Sequence, residues 1–240
     1  MLKKLLFLTF LISLPCLSFG MQDAQRRAKA RNQQLISQAM RGDVNRVQQL
    51  IDIGADINAR QGGGYNWTPL HWAASSGYSD VVELLLRHGA QVDDQEDRGL
   101  TALHLAADNG YSKVVALLLQ YNASVDVQDC RGQTPLHWVA IHHMAASQRY
   151  LDVGVLLLER GAQVDAQDYD GETPLLFAVR QNQFDLVKLL VQYGAQVDAQ
   201  NKDGETLLHS AADSQIWPYG GPLHQIDMLL EAQERQSEVV

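Results

Sequence analysis

TPLHWAASSGYSDVVELLLRHGAQVD, residues 68–93, holds one complete structural unit. Thr68 is a good N-cap, because its hydroxyl can accept a free backbone N–H of the first turn. Pro69 suits the first helical position, where its missing N–H would have been unpaired anyway. Leu70, Ala73 and Ala74 then fall at helical spacing, and the alanines let a neighbouring helix come close. Gly77 ends this first helix. A second helix, from about Ser79 to Arg87, carries Val81, Val82, Leu84, Leu85 and Leu86, and Gly89 supplies a left-handed residue to close it. Two helices this short cannot bury their own apolar faces. Stacked copies of the pair can.

The copies are present. TPLH at 68–71 returns as TALH at 101–104, TPLH at 134–137, TPLL at 173–176 and TLLH at 206–209, at intervals of 33, 33, 39 and 33 residues. A second segment keeps step with the first: GADIN at 54–58, GAQVD at 89–93, NASVD at 122–126, then GAQVD at 161–165 and 194–198. Asn122 stands where the other units have glycine, and asparagine is the next-best residue for a left-handed backbone. Glycine recurs at 99, 132, 171 and 204, two residues before each threonine, in polar turn-forming stretches.

This pattern resembles the ankyrin repeat, whose signature is a 33-residue period with T-P-L-H-x-A. The resemblance covers roughly residues 35–233. It implies an all-α solenoid of about six antiparallel helix pairs with β-hairpin fingers between consecutive pairs. Its repeats fall at about 35–67 (an N-terminal cap), 68–100, 101–133, 134–172, 173–205 and 206–233 (a C-terminal cap). Residues 21–34 are a leader and 234–240 a polar tail. Three departures stand out. The first finger, RQGGGYNW at 60–67, is two residues longer than the others. The unit at 134 carries six extra residues between its helices, and the last unit is extended at SQIWPYGGP, 214–222. Leu176 replaces the repeating histidine.

The N-terminus reads as an export signal over residues 1–20. Lys3 and Lys4 lead an apolar run from Leu5 to Leu14, Pro15 breaks it, and Ser18-Phe19-Gly20 offers small residues for cleavage before Met21. The run is short for a bilayer span. An uncleaved membrane anchor is the alternative, and a lipoprotein signal at Cys16 is disfavoured because Pro15 stands where a small residue is wanted. Lys3 and Lys4 are the only charges in this segment, so its removal takes the formal net charge from −9 to −11. An acidic chain is poorly suited to a nucleic-acid backbone. After cleavage only Cys130 remains, so no internal disulfide supports the fold.

His137, His142 and His143 lie within seven residues and raise the question of a metal site. His71, His104, His137 and His209 hold one position in successive repeats, so they cannot converge on one ion. The resemblance implies that each ring ties adjacent repeats together through backbone groups. His137 to His142 is five residues, not the three or four of a helical metal pair. No H-E-x-x-H, G-x-S-x-G or phosphate loop occurs. No cofactor and no enzymatic activity are expected. The alternative is a metal-binding or enzymatic use of the insertion at 141–150.

The resemblance further implies protein binding along the concave side, on the fingertips and first helices. The fingertip candidates are Tyr65, Asn66, Trp67, Asp97, Arg98, Cys130, Arg131, Tyr169, Asp170, Lys202 and Asp203. On the first helices they are Ser75, Ser76, Asp108, Asn109, Ile141, Gln181 and Asn182. Aromatic and arginine side chains are favoured anchors, which lifts Tyr65, Trp67, Arg98, Arg131 and Tyr169. Trp72, Trp138 and Phe177 share the register of Leu105 and are expected to pack between repeats. Trp217 and Tyr219 in the terminal insertion are a further aromatic patch. The fingers hold more acids than bases: Asp94, Glu96, Asp97, Asp129, Asp168, Asp170, Glu172, Asp203 and Glu205 against Arg98, Arg131 and Lys202. That imbalance predicts a partner with a basic face. The expected protein is a monomeric, periplasmic or secreted adaptor, inhibitor or assembly factor, free of the membrane once its signal is removed. A secreted effector that binds a host protein is an alternative.

Overall fold

The computed structural model describes residues 22–62, 64–141, 148–207 and 209. The export signal, His142, His143 and the terminal insertion with Trp217 and Tyr219 lie outside these residues.

Ten helices run through the described residues. They are α1 (22–39), α2 (Val44–Asp52), α3 (Pro69–Ser75), α4 (Ser79–Arg87), α5 (Ala102–Asp108), α6 (Ser112–Gln120), α7 (Pro135–Ile141), α8 (Gln148–Glu159), α9 (Pro174–Arg180) and α10 (Phe184–Gln192). The short helices α3, α5, α7 and α9 pack against one another in order and form an inner row. Helices α4, α6, α8 and α10 form an outer row behind them. The two rows enclose one continuous apolar core. From the inner row come Leu70, Leu103, Leu136 and Leu175, and from the outer row Leu85, Leu118, Leu157 and Leu190. No described helix is long and apolar enough to cross a membrane.

Each inner helix starts as its sequence requires. Thr68, Thr101 and Thr173 accept the backbone N–H three residues on, at 3.4, 3.4 and 3.3 Å. Asn122 closes α6 with φ 62°, as its place in the repeat predicts. The insertion changes the outer row. Helix α8 begins at Gln148, inside the insertion at 141–150, so part of the inserted stretch is helical. Tyr150 nevertheless keeps the register of Tyr78 and Tyr111, and its ring packs on Gly110.

Between helix pairs the fingers are tight turns rather than extended ribbons. Each is closed by the backbone bond Glu96 N–H to Leu100 O, Asp129 to Gln133, Asp168 to Glu172 or Asn201 to Glu205, all 3.0 Å, with the glycine N–H inside the turn bonding back to the first of these residues at 2.9–3.0 Å. In the longer first finger the bond runs from Gln61 to Trp67. The arms are too short for regular strands, and only an isolated bridge pairs Gln200 with Thr206 among the described residues.

Three ladders stitch the fingers together at the repeat period. In the first, backbone joins fingertip to fingertip, from Cys130 N–H to Arg98 O, Tyr169 to Arg131 and Lys202 to Asp170 at 2.8–2.9 Å. A second uses glutamine amides: Gln95 donates to Gln128 O at 3.1 Å, and Gln128 to Gln167 O and Gln167 to Gln200 O at 3.5 Å. The third uses the last residue of each GADIN-type segment. Asn58, Asp93, Asp126 and Asp165 accept the backbone N–H of Gln91, Ser124, Gln163 and Gln196 at 2.8–3.0 Å. At the N-terminal end Asn32, on α1, makes the same bond to Asp56 N–H at 2.9 Å. Helix α1 thus supplies the bond that a preceding repeat would have made.

Gly132 shows how tightly the fingers stack. It has φ 80°, and a β-carbon there would lie 2.6 Å from Tyr169 Cδ1. Gly132→Ala is expected to cost about 2–3 kcal/mol, from the left-handed backbone and the displaced ring. A denaturant titration of the variant checks it.

Candidate protein-binding face

The inner helices and fingers line one side of the stack, and most polar groups there are already used by the fold. The histidines are the clearest case. Thr68 N–H donates to His71 Nδ1 at 3.2 Å, and the same bond forms in the next two repeats at 3.1 Å. Nδ1 is therefore the acceptor, and Nε2–H is the donor. It reaches Leu100 O from His71, Gln133 O from His104 and Glu172 O from His137, each at 3.1 Å. Each of these three rings thus binds its own helix start to the next finger, as the resemblance implied, and His209 makes the bond to its own helix start at Thr206. Burial pushes His104 down to about 4 and lowers His71 and His137 below the ordinary histidine value. Leu176 lies buried in the same register without such a bond. No group of histidine, cysteine, aspartate or glutamate among the described residues could hold a metal ion.

The finger acids require a correction. Glu96, Asp129, Asp168 and Glu172 are only 4, 5, 6 and 7% exposed. The first three tie their own turns. Glu96 Oε1 accepts from Arg98 and Leu100 N–H at 2.8 and 3.3 Å. Asp129 Oδ1 accepts from Arg131 and Gln133 at 2.8 and 2.9 Å. Asp168 Oδ1 accepts from Asp170 and Glu172 at 2.9 Å. Asn201 does the same for Asp203 and Glu205. The carboxylates of Glu96, Asp129 and Asp168 are thus committed to their own turns. The exposed tips carry Asp97, Asp170 and Asp203 against Arg98, Arg131 and Lys202, so the tip row itself is balanced in charge.

Each sequence-predicted residue now has a place. Tyr65 and Tyr169 are 55 and 58% exposed at the tips. Asp97, Arg98, Cys130, Arg131, Asp170, Lys202 and Asp203 are exposed beside them. The Arg98 guanidinium lies 4.6 Å from the centre of the Tyr65 ring, a stacked pair spanning two fingers. Asn66 is a turn residue with φ 61°, in the register of Gly99 and Gly132. Trp67 is not at a tip. It is half-buried on the groove floor, its ring 4.5 Å from that of Trp72, and its Nε1–H points to Glu96 Oε2 at 3.4 Å. Ser75, Ser76, Asp108, Asn109, Ile141, Gln181 and Asn182 are half-buried.

The last of these is out of register. Asn182, with φ 59°, aligns with Gly77 and Gly110. The residue beside Ser75, Asp108 and Ile141 is Arg180, which the sequence reading missed. Trp138 and Phe177 both pack and line the groove: Trp138 Nε1–H donates to Asp129 Oδ2 at 3.2 Å, and Phe177 meets His137 edge-on at 6.0 Å.

A family model described as "Ankyrin repeats (3 copies)" matches residues 17–96, 35–129, 91–143 and 142–234. The 2-5A-dependent ribonuclease of Mus musculus is 44% identical over 78 residues, 32% of this chain and 10% of that protein. Protein phosphatase 1 regulatory subunit 27 of Homo sapiens is 43% identical over 58 residues, 24% of this chain and 36% of that protein. Ankyrin repeat domain-containing protein 40 of Homo sapiens is 35% identical over 71 residues, 30% of this chain and 19% of that protein. The chain thus spans between a tenth and about a third of the length of these relatives.

Proposed function

The chain belongs to the ankyrin-repeat family, and on that premise we propose that it is an exported adaptor, inhibitor or assembly factor that grips a protein partner with its fingertips and inner-helix face. Ankyrin repeats are protein–protein interaction modules, and the chemistry of this stack supports that use. The observation that carries the reading is the row of exposed tips. Tyr65, Arg98, Arg131 and Tyr169 take little part, through their side chains, in the ladders that hold the fold. Large aromatic and arginine side chains left exposed in a line are anchors for another protein. The formal net charge of −9 still favours a basic partner at long range, although the tips are neutral in sum.

Export rests on the lysine-led apolar segment at residues 3–14 and the small residues before Met21. The periplasm, or the exterior of the cell, is its destination in this reading, and the chain acts there as a monomer. The inhibitor form finds support in the relative named a regulatory subunit of a phosphatase.

A pull-down from the native compartment tests the proposal. One bait is the protein, and the other carries Tyr65→Ser, Arg98→Ser, Arg131→Ser and Tyr169→Ser together. A partner recovered by the first and reduced at least tenfold on the second is the expected result, since removing several central anchors costs well over 1.4 kcal/mol. Equal recovery by both baits defeats the fingertip reading.

A further inference from the structure

One register on the groove floor varies from repeat to repeat. The residue before each threonine is Trp67, Leu100, Gln133, Glu172 and then Glu205, and of the two glutamates only Glu172 is buried. Glu172 Oε1 accepts from Arg180 Nη2 at 2.8 Å and from Asn201 Nδ2 at 2.9 Å. Its Oε2 is buried and has no donor. Gln133, in the neighbouring finger, donates through Nε2 to Asp168 Oδ2 at 3.2 Å, and its Oε1 is likewise buried without a donor. Asn201 Nδ2 also reaches Glu205 Oε2 at 3.1 Å. The linked groups Gln133, Asp168, Glu172, Asn201, Glu205 and Arg180 thus hold three carboxylates against one cation, with two acceptors unfilled.

Unfilled buried acceptors cost free energy, and a buried carboxylate more than a neutral one. The fold does not impose this arrangement, because Leu100 fills the same register two repeats earlier. Arg180 is equally particular to this repeat, where the others have Ser75, Asp108 and Ile141. Its side chain is 40% exposed against 9% for Glu172, and its guanidinium lies 5.8 Å from the centre of the Phe177 ring. It is a long cation held by a single carboxylate oxygen.

We propose that Glu172 receives a lysine or arginine side chain of the protein partner at Oε2, and that Arg180, on Oε1, competes for the same carboxylate charge in the free protein. This rests on the reading of the concave face as a protein-binding face. Both cations carry several N–H donors and no acceptor, which is what Glu172 Oε2 and Gln133 Oε1 lack. In the last two fingers the exposed acids Asp170, Asp203 and Glu205 outnumber the exposed base Lys202, which draws positive charge to this end of the groove. The sequence expectation of a basic partner face thereby narrows to one cation at one repeat.

The test uses a random peptide library selected on the purified protein, with affinities of enriched peptides measured by fluorescence anisotropy. Enriched peptides should share a lysine or arginine. Changing it to methionine, or changing Glu172→Gln, should each weaken binding about tenfold, with little further loss when combined. Arg180→Gln should tighten binding about threefold, because it removes the internal competitor. Gln133→Leu, with leucine already in that register at Leu100, should weaken it about threefold and guards against misfolding of the Glu172 variant. Peptides that lack a shared cation, or that ignore Glu172→Gln while still requiring the four fingertip side chains, overturn this inference and leave the binding reading intact. Peptides indifferent to both, or no enrichment at all, overturn both. A peptide complex in which Glu172 Oε2 keeps only a water also overturns it.

Discussion

Between pH 6.5 and about 4 the protein should lose about 2–3 kcal/mol of stability through His104 alone. Its imidazole is buried as the neutral Nε2–H form, and burial lowers its pKa from 6.5 to about 4. In the unfolded chain the same group takes a proton near 6.5. Across this window the unfolded state therefore binds more protons than the folded state, and stability falls as pH falls. At about 1.4 kcal/mol per pH unit the drop gives the stated figure. His71 and His137 are shifted in the same direction for the same reason and add to it. Full stability is present above pH 6.5. Urea titrations at pH 7.5, 5.5 and 4.5 measure the loss. His104→Leu separates this histidine from carboxylates that titrate lower down, since Leu176 shows that leucine fits the position. The variant is less stable at pH 7.5, because Gln133 O loses its donor, but its loss of stability towards pH 4.5 should be smaller by about 2–3 kcal/mol. Equal slopes for the two proteins would show that His104 does not carry the effect.

The same histidine shows what one chain discloses. A 33-residue period and T-P-L-H determine helix starts, helix ends and the tie between repeats, because each is a local geometry repeated with the same residues. Asn122 was legible for that reason. The fingers were not. Glu96 and Asp97 are adjacent acids, yet one is buried under backbone N–H groups and the other is exposed at a tip. Which of two consecutive side chains turns inward depends on the turn's dihedral angles, and composition carries no trace of them. Counting both acids as surface overstated the negative charge offered to a partner. Trp67 was misplaced at a tip by the longer first finger, and Arg180 was missed because Asn182 stands where glycine usually marks the helix end. The two departures on the groove floor, Glu172 and Arg180, become informative only once the helices set the register and the unfilled acceptors can be seen.

Asp129→Ala should cost about 3–5 kcal/mol, an effect comparable to emptying part of the core, although it removes only a small polar side chain. Asp129 sits in the central finger. Its Oδ1 accepts Arg131 and Gln133 N–H, and its Oδ2 accepts the Trp138 indole N–H at 3.2 Å. Alanine leaves all three donors without their partner; the buried Gln133 N–H costs about 1–3 kcal/mol as an orphan, and the half-buried Arg131 N–H and Trp138 indole N–H cost less each. The loss also spreads. Cys130 and Arg131 form the fingertip bonds to Arg98 and Tyr169, and Gln133 O receives the His104 ring. In a solenoid stability is a sum of repeats and nearest-neighbour interfaces, so a weakened central finger loosens the contact on both sides. Asp129→Asn keeps an acceptor for the two backbone donors, as Asn201 does in the last finger, and should cost only about 1–2 kcal/mol. Denaturant midpoints of the two variants distinguish a turn held by side-chain acceptance from one held by backbone alone. Midpoints for Asp129→Ala within error of the parent would mean that the finger needs no such support, and the buried acids would then be open to a role in recognition after all.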